Sequence, residues 1–348
     1  MSSLMFWVAA ACGGDDGGGG GAGADADPAG GGDAAPRFTR LDLGAAEGIW
    51  DVSGAGPNIF LRAGSQILRS MDAGQSWVTS TVPGTTRLAT VAAASAATIA
   101  WEAGMTAYYY RGGGDRWLST GRVPGGAGEG YRATNLAEAP DGRLYLAVRT
   151  DQAFLPTRSH ILVSTGDSGP TWRQDAAWDD GEPVGLHVLP DGGVRLLSSS
   201  GAVGVPGPTS VAWGRPIVNQ LGGLRMVGVG QTLWVLGARF IADGRYQVNL
   251  FRSDDGGQAW RSIWEREVQT QFLLVPENFE LWARDADTVV FLVDSVGEGL
   301  SLVEVTGETA VTTLLSTTPL AGTTSAEVGG NADALILVNG TEAWVARD

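Results

Sequence analysis

The amino-acid sequence predicts an all-β protein built from repeated four-stranded units. Three windows, residues 70–77, 165–172 and 253–260, share the pattern Ser/Thr-x-Asp-x-Gly-x-x-Trp. Trp77, Trp117, Trp172, Trp213 and Trp260 set a register at intervals of 40, 55, 41 and 47 residues, the length of a four-stranded repeat. Short β-prone runs alternate with turn residues between these marks, and beyond residue 37 no convincing amphipathic helix interrupts them.

Each window follows an apolar, β-prone run, and its Trp opens the next extended segment, so the window is a hairpin turn. Ser70 and Asp72, Thr165 and Asp167, and Ser253 and Asp255 each set a hydroxyl two residues before a carboxylate. Groups so spaced accept backbone N–H bonds inside a tight turn. Gly74, Gly169 and Gly257 supply a positive φ, and Trp77, Trp172 and Trp260 bury a large ring beneath. The windows resemble the Asp-box, or BNR repeat, found in the β-propellers of sialidases, sortilin-type receptors and a photosystem assembly factor. That resemblance implies a β-propeller whose boxes lie on the blade periphery with a structural Asp. It speaks to fold more than function, because one propeller scaffold serves many unrelated tasks.

The first repeat reads as strands at 48–55, 58–63, 66–71 and 76–82, with equivalents beginning near Leu88, Tyr131, Pro183, Leu224 and Phe272. Trp117 stands where a box belongs, but the preceding Gly112-Gly113-Gly114-Asp115 has lost it. The last repeat offers three strands, at 325–328, 334–338 and 342–346, and residues 37–43 supply the fourth. The expected fold is a seven-bladed β-propeller closed by its N-terminal strand, which leaves no open end to the ring. Six blades are the alternative, since residues 267–316 are the least regular. A parallel β-helix fits poorly, because its rungs are shorter than these intervals.

With 38 acidic and 23 basic residues, the net charge of −15 argues against nucleic acid as a partner. Every basic residue is Arg, and Gly and Ala abound, which reads as GC-rich codon usage rather than a phosphate-binding device. The single cysteine, Cys12, allows no internal disulfide, so packing and hydrogen bonds must hold the fold.

Residues 4–11 form a short apolar run ending in Ala9-Ala10-Ala11, directly before Cys12. The run is too short to span a bilayer and resembles a bacterial lipoprotein signal, with Cys12 as the lipidated residue, although no Lys or Arg precedes it. Residues 13–36 are almost entirely Gly, Ala, Asp and Pro and cannot bury a core. The expected organisation is a signal peptide at 1–11, a disordered tether at 12–36 and a propeller at 37–348. The expected location is the cell envelope, with the membrane reached through the lipid alone.

If the box joins third and fourth strands, first-to-second turns share its face, and Asp141-Gly142 and Asp191-Gly192-Gly193 have the chemistry of such tight hairpins. The opposite face then carries the long connections at 123–130, 150–157, 178–182 and 239–245. Long loops on a rigid scaffold are where binding lives, so the candidate ligand residues are Phe154, Arg158, Trp178, Asp179, Asp180, Arg239, Phe240 and Tyr246.

Signals for catalysis are weaker. A sialidase-like site needs three converging arginines, a Tyr–Glu pair and an acid; the Arg-Ile-Pro signature is absent, and Arg215-Pro216-Ile217 comes late and in the wrong order. Tyr108, Tyr109 and Tyr110 fall in one predicted strand, and His160 and His187 each sit in a strand-like run. No nucleophile elbow, zinc-spaced Cys/His cluster or phosphate-cradling loop stands out. The expectation is a non-catalytic binding or scaffolding module without cofactor or metal. Its expected partner is an envelope protein or a glycan, and the chain itself is expected to be a monomer. The alternative is a sialidase-like exo-glycoside hydrolase.

Overall fold

The computed structural model describes residues 38–43, 48–82, 88–94, 97–102, 106–111, 118–122, 131–150, 159–164, 172–178, 183–207, 210–217, 222–269, 280–295, 298–316, 326–339 and 342–347. Among these the secondary structure is strand, with no helix.

In chain order the first sheet is β2 (Ile49–Ala55), β3 (Asn58–Ala63), β4 (Gln66–Ser70) and β5 (Val78–Thr81). The second is β6 (Leu88–Ala94), β7 (Ala97–Glu102), β8 (Thr106–Arg111) and β9 (Leu118–Arg122). The third is β10 (Tyr131–Glu138), β11 (Leu144–Thr150), β12 (Ser159–Ser164) and β13 (Trp172–Trp178). Then come β14 (Pro183–Val188), β15 (Val194–Ser198), β16 (Ala202–Pro206) and β17 (Val211–Pro216), followed by β18 (Gly222–Val229), β19 (Thr232–Ala242), β20 (Arg245–Ser253) and β21 (Arg261–Gln269). These two antiparallel groups join through one parallel bridge, Gly185 to Met226, into an eight-stranded sheet. A Cβ on Gly185 would overlap Met226, so glycine is what permits the approach.

Another sheet comprises β22 (Leu281–Ala283), β23 (Thr288–Ser295), β24 (Gly299–Thr306) and β25 (Thr309–Ser316). The last is β26 (Ala326–Asn331), β27 (Ala334–Asn339) and β28 (Glu342–Arg347), with β1 (Thr39–Arg40) from the other end of the chain antiparallel to β28. The strand beginnings agree closely with the repeat register, except that Phe272 lies outside the described residues and the strand nearest it begins at Leu281.

First strands of successive groups lie against one another: β2 on β6, β6 on β10, β10 on β14, β14 on β18, β18 on β22, β22 on β26, and β26 back on β2. The core therefore fills the spaces between neighbouring sheets. Alternate residues of one strand serve opposite neighbours, as period-2 geometry requires. On β23, Val289, Phe291 and Val293 pack with Trp234 and Leu250, while Val290 and Leu292 pack with Val328 and Leu335. A sheet covered on both faces reads as a continuous apolar run, which explains Val289 to Val293. Residues 35–348 form one compact unit.

Candidate functional site

The Ser-x-Asp turns are built alike at 70–77 and 253–260. Ser70 Oγ donates to Asp72 Oδ1 (2.8 Å) and accepts from the Gly74 N–H (2.8 Å); Asp72 Oδ1 also accepts from the Gln75 and Ser76 N–H groups (3.0 and 2.8 Å). Ser253 and Asp255 repeat the pattern with Gly257, Gln258 and Ala259. Four donors converging on Asp72 hold its carboxyl down at about 2, chiefly the Ser76 hydroxyl, and the Ala259 amide lowers Asp255. Two consecutive residues of each turn have positive φ, Ala73 (56°) with Gly74 (76°) and Gly256 (69°) with Gly257 (87°). The turn carbonyls also take an arginine from the preceding sheet: Arg347 donates to Ala73 and Gly74 (both 2.8 Å), and Arg195 to Gly256 (2.6 Å). Trp172 opens β13 and is buried, whereas Trp77 and Trp260 are half-buried. Thr165, Asp167 and Gly169 lie outside the described residues, as do Cys12 and the segment that follows it.

Both turns join third and fourth strands, so by alternation the second-to-third turns and the sheet-to-sheet connections lie at the opposite face. Of the expected ligand residues there, Phe154, Arg158, Asp179 and Asp180 lie outside the described residues, and Trp178 closes β13.

Residues 239–245 correct the expectation of a long loop. Strands β19 and β20 continue through them, and only Asp243 (φ 51°) and Gly244 (φ 74°) turn the chain, pairing Ala242 with Arg245. Positive φ at both central residues is the type I′ hairpin geometry that Asp-Gly favours. The same Asp-Gly signal read at 141–142 was present here and points to a hairpin rather than a loop. Phe240 stands opposite Tyr246 with edge-to-face rings 5.3 Å apart, and Phe240 remains 58% exposed beside Ile241 at 41%. Arg239 donates to Gln247, and Arg245 pairs with Glu267 at 2.7 Å.

A second group of residues on this side was missed from the sequence. Asp51 on β2, Arg62 opposite it on β3, Arg225 on β18, Glu280 just before β22 and Glu327 on β26 gather at the inner strands. Arg225 pairs with Glu280 (2.8 Å), Arg62 lies 3.8 Å from Asp51, and Glu327 Oε2 accepts the Val52 N–H (3.1 Å). Asp51, Glu280 and Glu327 stand early in, or just before, their strands, toward the face of Phe240. Protein surrounds Glu280, yet 20% of its side chain stays open, as expected of a group at the inner margin of a ring.

Burial first, then repulsion from Asp51, raises Glu280 against the pull of Arg225. Glu327 goes well above the usual range, through burial and then through Asp51 and Glu280, with Arg62 and Arg225 opposing. Such a cluster can meet a charged group on a partner or exchange a proton. Its sequence signal was a lone charge in the first strand of several repeats.

His187 Nε2 donates to the Gly230 carbonyl (3.0 Å), and burial lowers the pKa of the ring; His160 is buried in β12. Tyr108, Tyr109 and Tyr110 lie in β8. Among the described residues no three His, Cys, Asp or Glu side chains are arranged to hold a metal ion.

No family model and no curated protein sequence matches the chain. Solved structures do. YCF48 bound to a D1 peptide is 16% identical with a TM-score of 0.57, covering 90% of this chain and 97% of that one. YCF48 from Cyanidioschyzon merolae is 12% identical with a TM-score of 0.56, covering 90% and 99%. A chain of the mitotic checkpoint complex is 10% identical with a TM-score of 0.56, covering 94% and 99%. At these identities the likeness is one of fold. Together with the sheets above, it makes this chain a β-propeller.

Proposed function

We propose that this chain is a non-catalytic binding or scaffolding module of the cell envelope, held to the membrane by lipid on Cys12 and a tether over residues 13–36. Its scaffold is a seven-bladed Asp-box propeller in which β1 completes the blade of β26 to β28. The cycle of inner-strand contacts and the β1–β28 pairing support that count over six.

The partner is a polypeptide, met on the face opposite the Ser-x-Asp turns. The observation that carries this is the Phe240 ring, 58% exposed at the tip of a hairpin that Tyr246 and a two-residue turn hold in place. An exposed aromatic held on a tight hairpin is the composition of an interface anchor. The similar YCF48 structure, bound to a D1 peptide, is consistent with a peptide as the class of ligand.

The sialidase-like alternative calls for three arginines free to clasp a carboxylate. At the described centre Arg62 and Arg225 already face Asp51 and Glu280, which favours binding over hydrolysis.

The test presents the full-length protein to peptide and glycan arrays and to a fluorogenic sialoside. Peptide binding that Phe240→Ala abolishes is the expected result. Retention on glycans alone, or turnover of the sialoside above background, would contradict it.

A further inference from the structure

Sulfur is scarce in the folded unit. Among the described residues it occurs at Met71 and Met226, and the two sit in opposite surroundings. Met226 is 4% exposed, packed among Val184, Leu197 and Leu233 where β14 and β18 bridge. Met71 is 62% exposed, at the second position of the first Ser-x-Asp turn. Ser70 and Asp72 make the bonds that hold this turn, so the Met71 side chain carries none of it. One group does touch the sulfur. Arg69 Nη2 donates to Met71 Sδ (2.9 Å), while Arg69 Nε donates to Oδ1 of the buried Asn58 (2.9 Å). The guanidinium is thereby pinned from below and occupies one side of the thioether.

We propose that Met71 is a site of reversible oxidation by peroxide, and that Arg69 fixes the handedness of its sulfoxide. A thioether sulfur has two lone pairs. One accepts the Arg69 N–H, so the other attacks: sulfur bonds to one peroxide oxygen as the O–O bond breaks, and sulfur is oxidised by two electrons. The second oxygen leaves as hydroxide and takes the proton from the transferred oxygen, giving water and the sulfoxide. Because oxygen arrives on one side, one epimer predominates. Each epimer is returned by its own class of thiol-dependent reductase, which oxidises two thiols to a disulfide and releases the sulfoxide oxygen as water. Hydrogen peroxide is uncharged, so the net charge of −15 does not repel it. At the exposed Met71 the polar sulfoxide is solvated, whereas at Met226 it would enter a dry core. The turn lies at the face opposite Phe240, so the site stands whatever that face binds.

The test treats the full-length chain carrying Cys12→Ser, which removes the competing thiol, with hydrogen peroxide. Mass spectrometry of proteolytic peptides follows each methionine, and the two epimer-specific reductases report the handedness at Met71. Met71 should be oxidised at least about tenfold faster than Met226, and mainly to one epimer. Arg69→Leu should leave Met71 reactive and bring the epimers near parity. Oxidising the parent in urea should do the same, and it decides the matter if Arg69→Leu fails to fold. Met71 reacting no faster than Met226, an equal mixture in the folded parent, or an epimer excess that survives Arg69→Leu or urea would each overturn the proposal.

Discussion

Arg225 places Nη2 2.8 Å from Oε1 of Glu280, an ion pair linking two neighbouring sheets where their inner strands meet. Removing one partner strands the other charge in a largely dry site. Arg225→Met is expected to cost about 2 kcal/mol, less than the roughly 3–5 kcal/mol of fully dry pairs, because each side chain keeps some solvent contact. Adding Glu280→Gln should restore most of that loss. Urea denaturation of the two single variants and the double variant measures both effects.

Glu280 and Glu327 also set a pH dependence. The folded state raises both above the ordinary glutamate value of 4.5, so above that pH it holds protons that the unfolded chain has released. Stability then falls as pH rises through the folded-state values. Glu327→Gln keeps the oxygen that accepts the Val52 N–H and removes the titration. It should raise the melting temperature near neutral pH and flatten the profile above about pH 4.5 in thermal melts.

The Ser-x-Asp turns give the opposite slope in acid. Asp72 titrates at about 2 in the folded protein against 3.8 for an unperturbed aspartate, so its contribution is complete above the latter and disappears as pH falls toward the former. Asp72→Asn should remove that part of the acid limb. Ser70→Ala leaves the buried Gly74 N–H without its acceptor and should cost roughly 1–3 kcal/mol at neutral pH, read by the same melts.

Gly54 marks where β2 and β26 approach so closely that an added Cβ would overlap the Gly330 carbonyl oxygen. Gly54→Ala must part these strands, and a loss of about 3 kcal/mol is expected, the upper end of overpacking. The denaturant midpoint of Gly54→Ala against the parent protein makes the comparison.

Cys12→Ala should release the full-length protein from the membrane fraction into the soluble one if lipid on Cys12 is its anchor. Fractionation followed by immunoblotting checks this, and unchanged partitioning would refute the anchor.

The repeat architecture was legible because its signals are local. A hydroxyl, a carboxylate, a glycine and a tryptophan at fixed spacing specify one turn, and Ser70 and Ser253 make matching bonds with Asp72 and Asp255. Asp243-Gly244 is equally local, but the apolar Phe240 and Ile241 beside it lack the alternation of a half-buried strand, so the pattern there predicts a loop where the chain forms a hairpin. The central charges were not legible, because Asp51, Arg225 and Glu327 are far apart in sequence and meet only where sheets converge. Arg347 reaching Ala73 is hidden for the same reason, since the contact spans the two ends of the chain.

The central claim is that a ring of small sheets is closed by pairing those two ends. In the Cys12→Ser background, Thr39→Cys with Val345→Cys sets two thiols at paired positions of β1 and β28. Oxidation should give a monomeric, internally cross-linked protein that migrates faster without reductant and melts at a higher temperature. Cross-links that form only between molecules, or none at all, would contradict the closed ring.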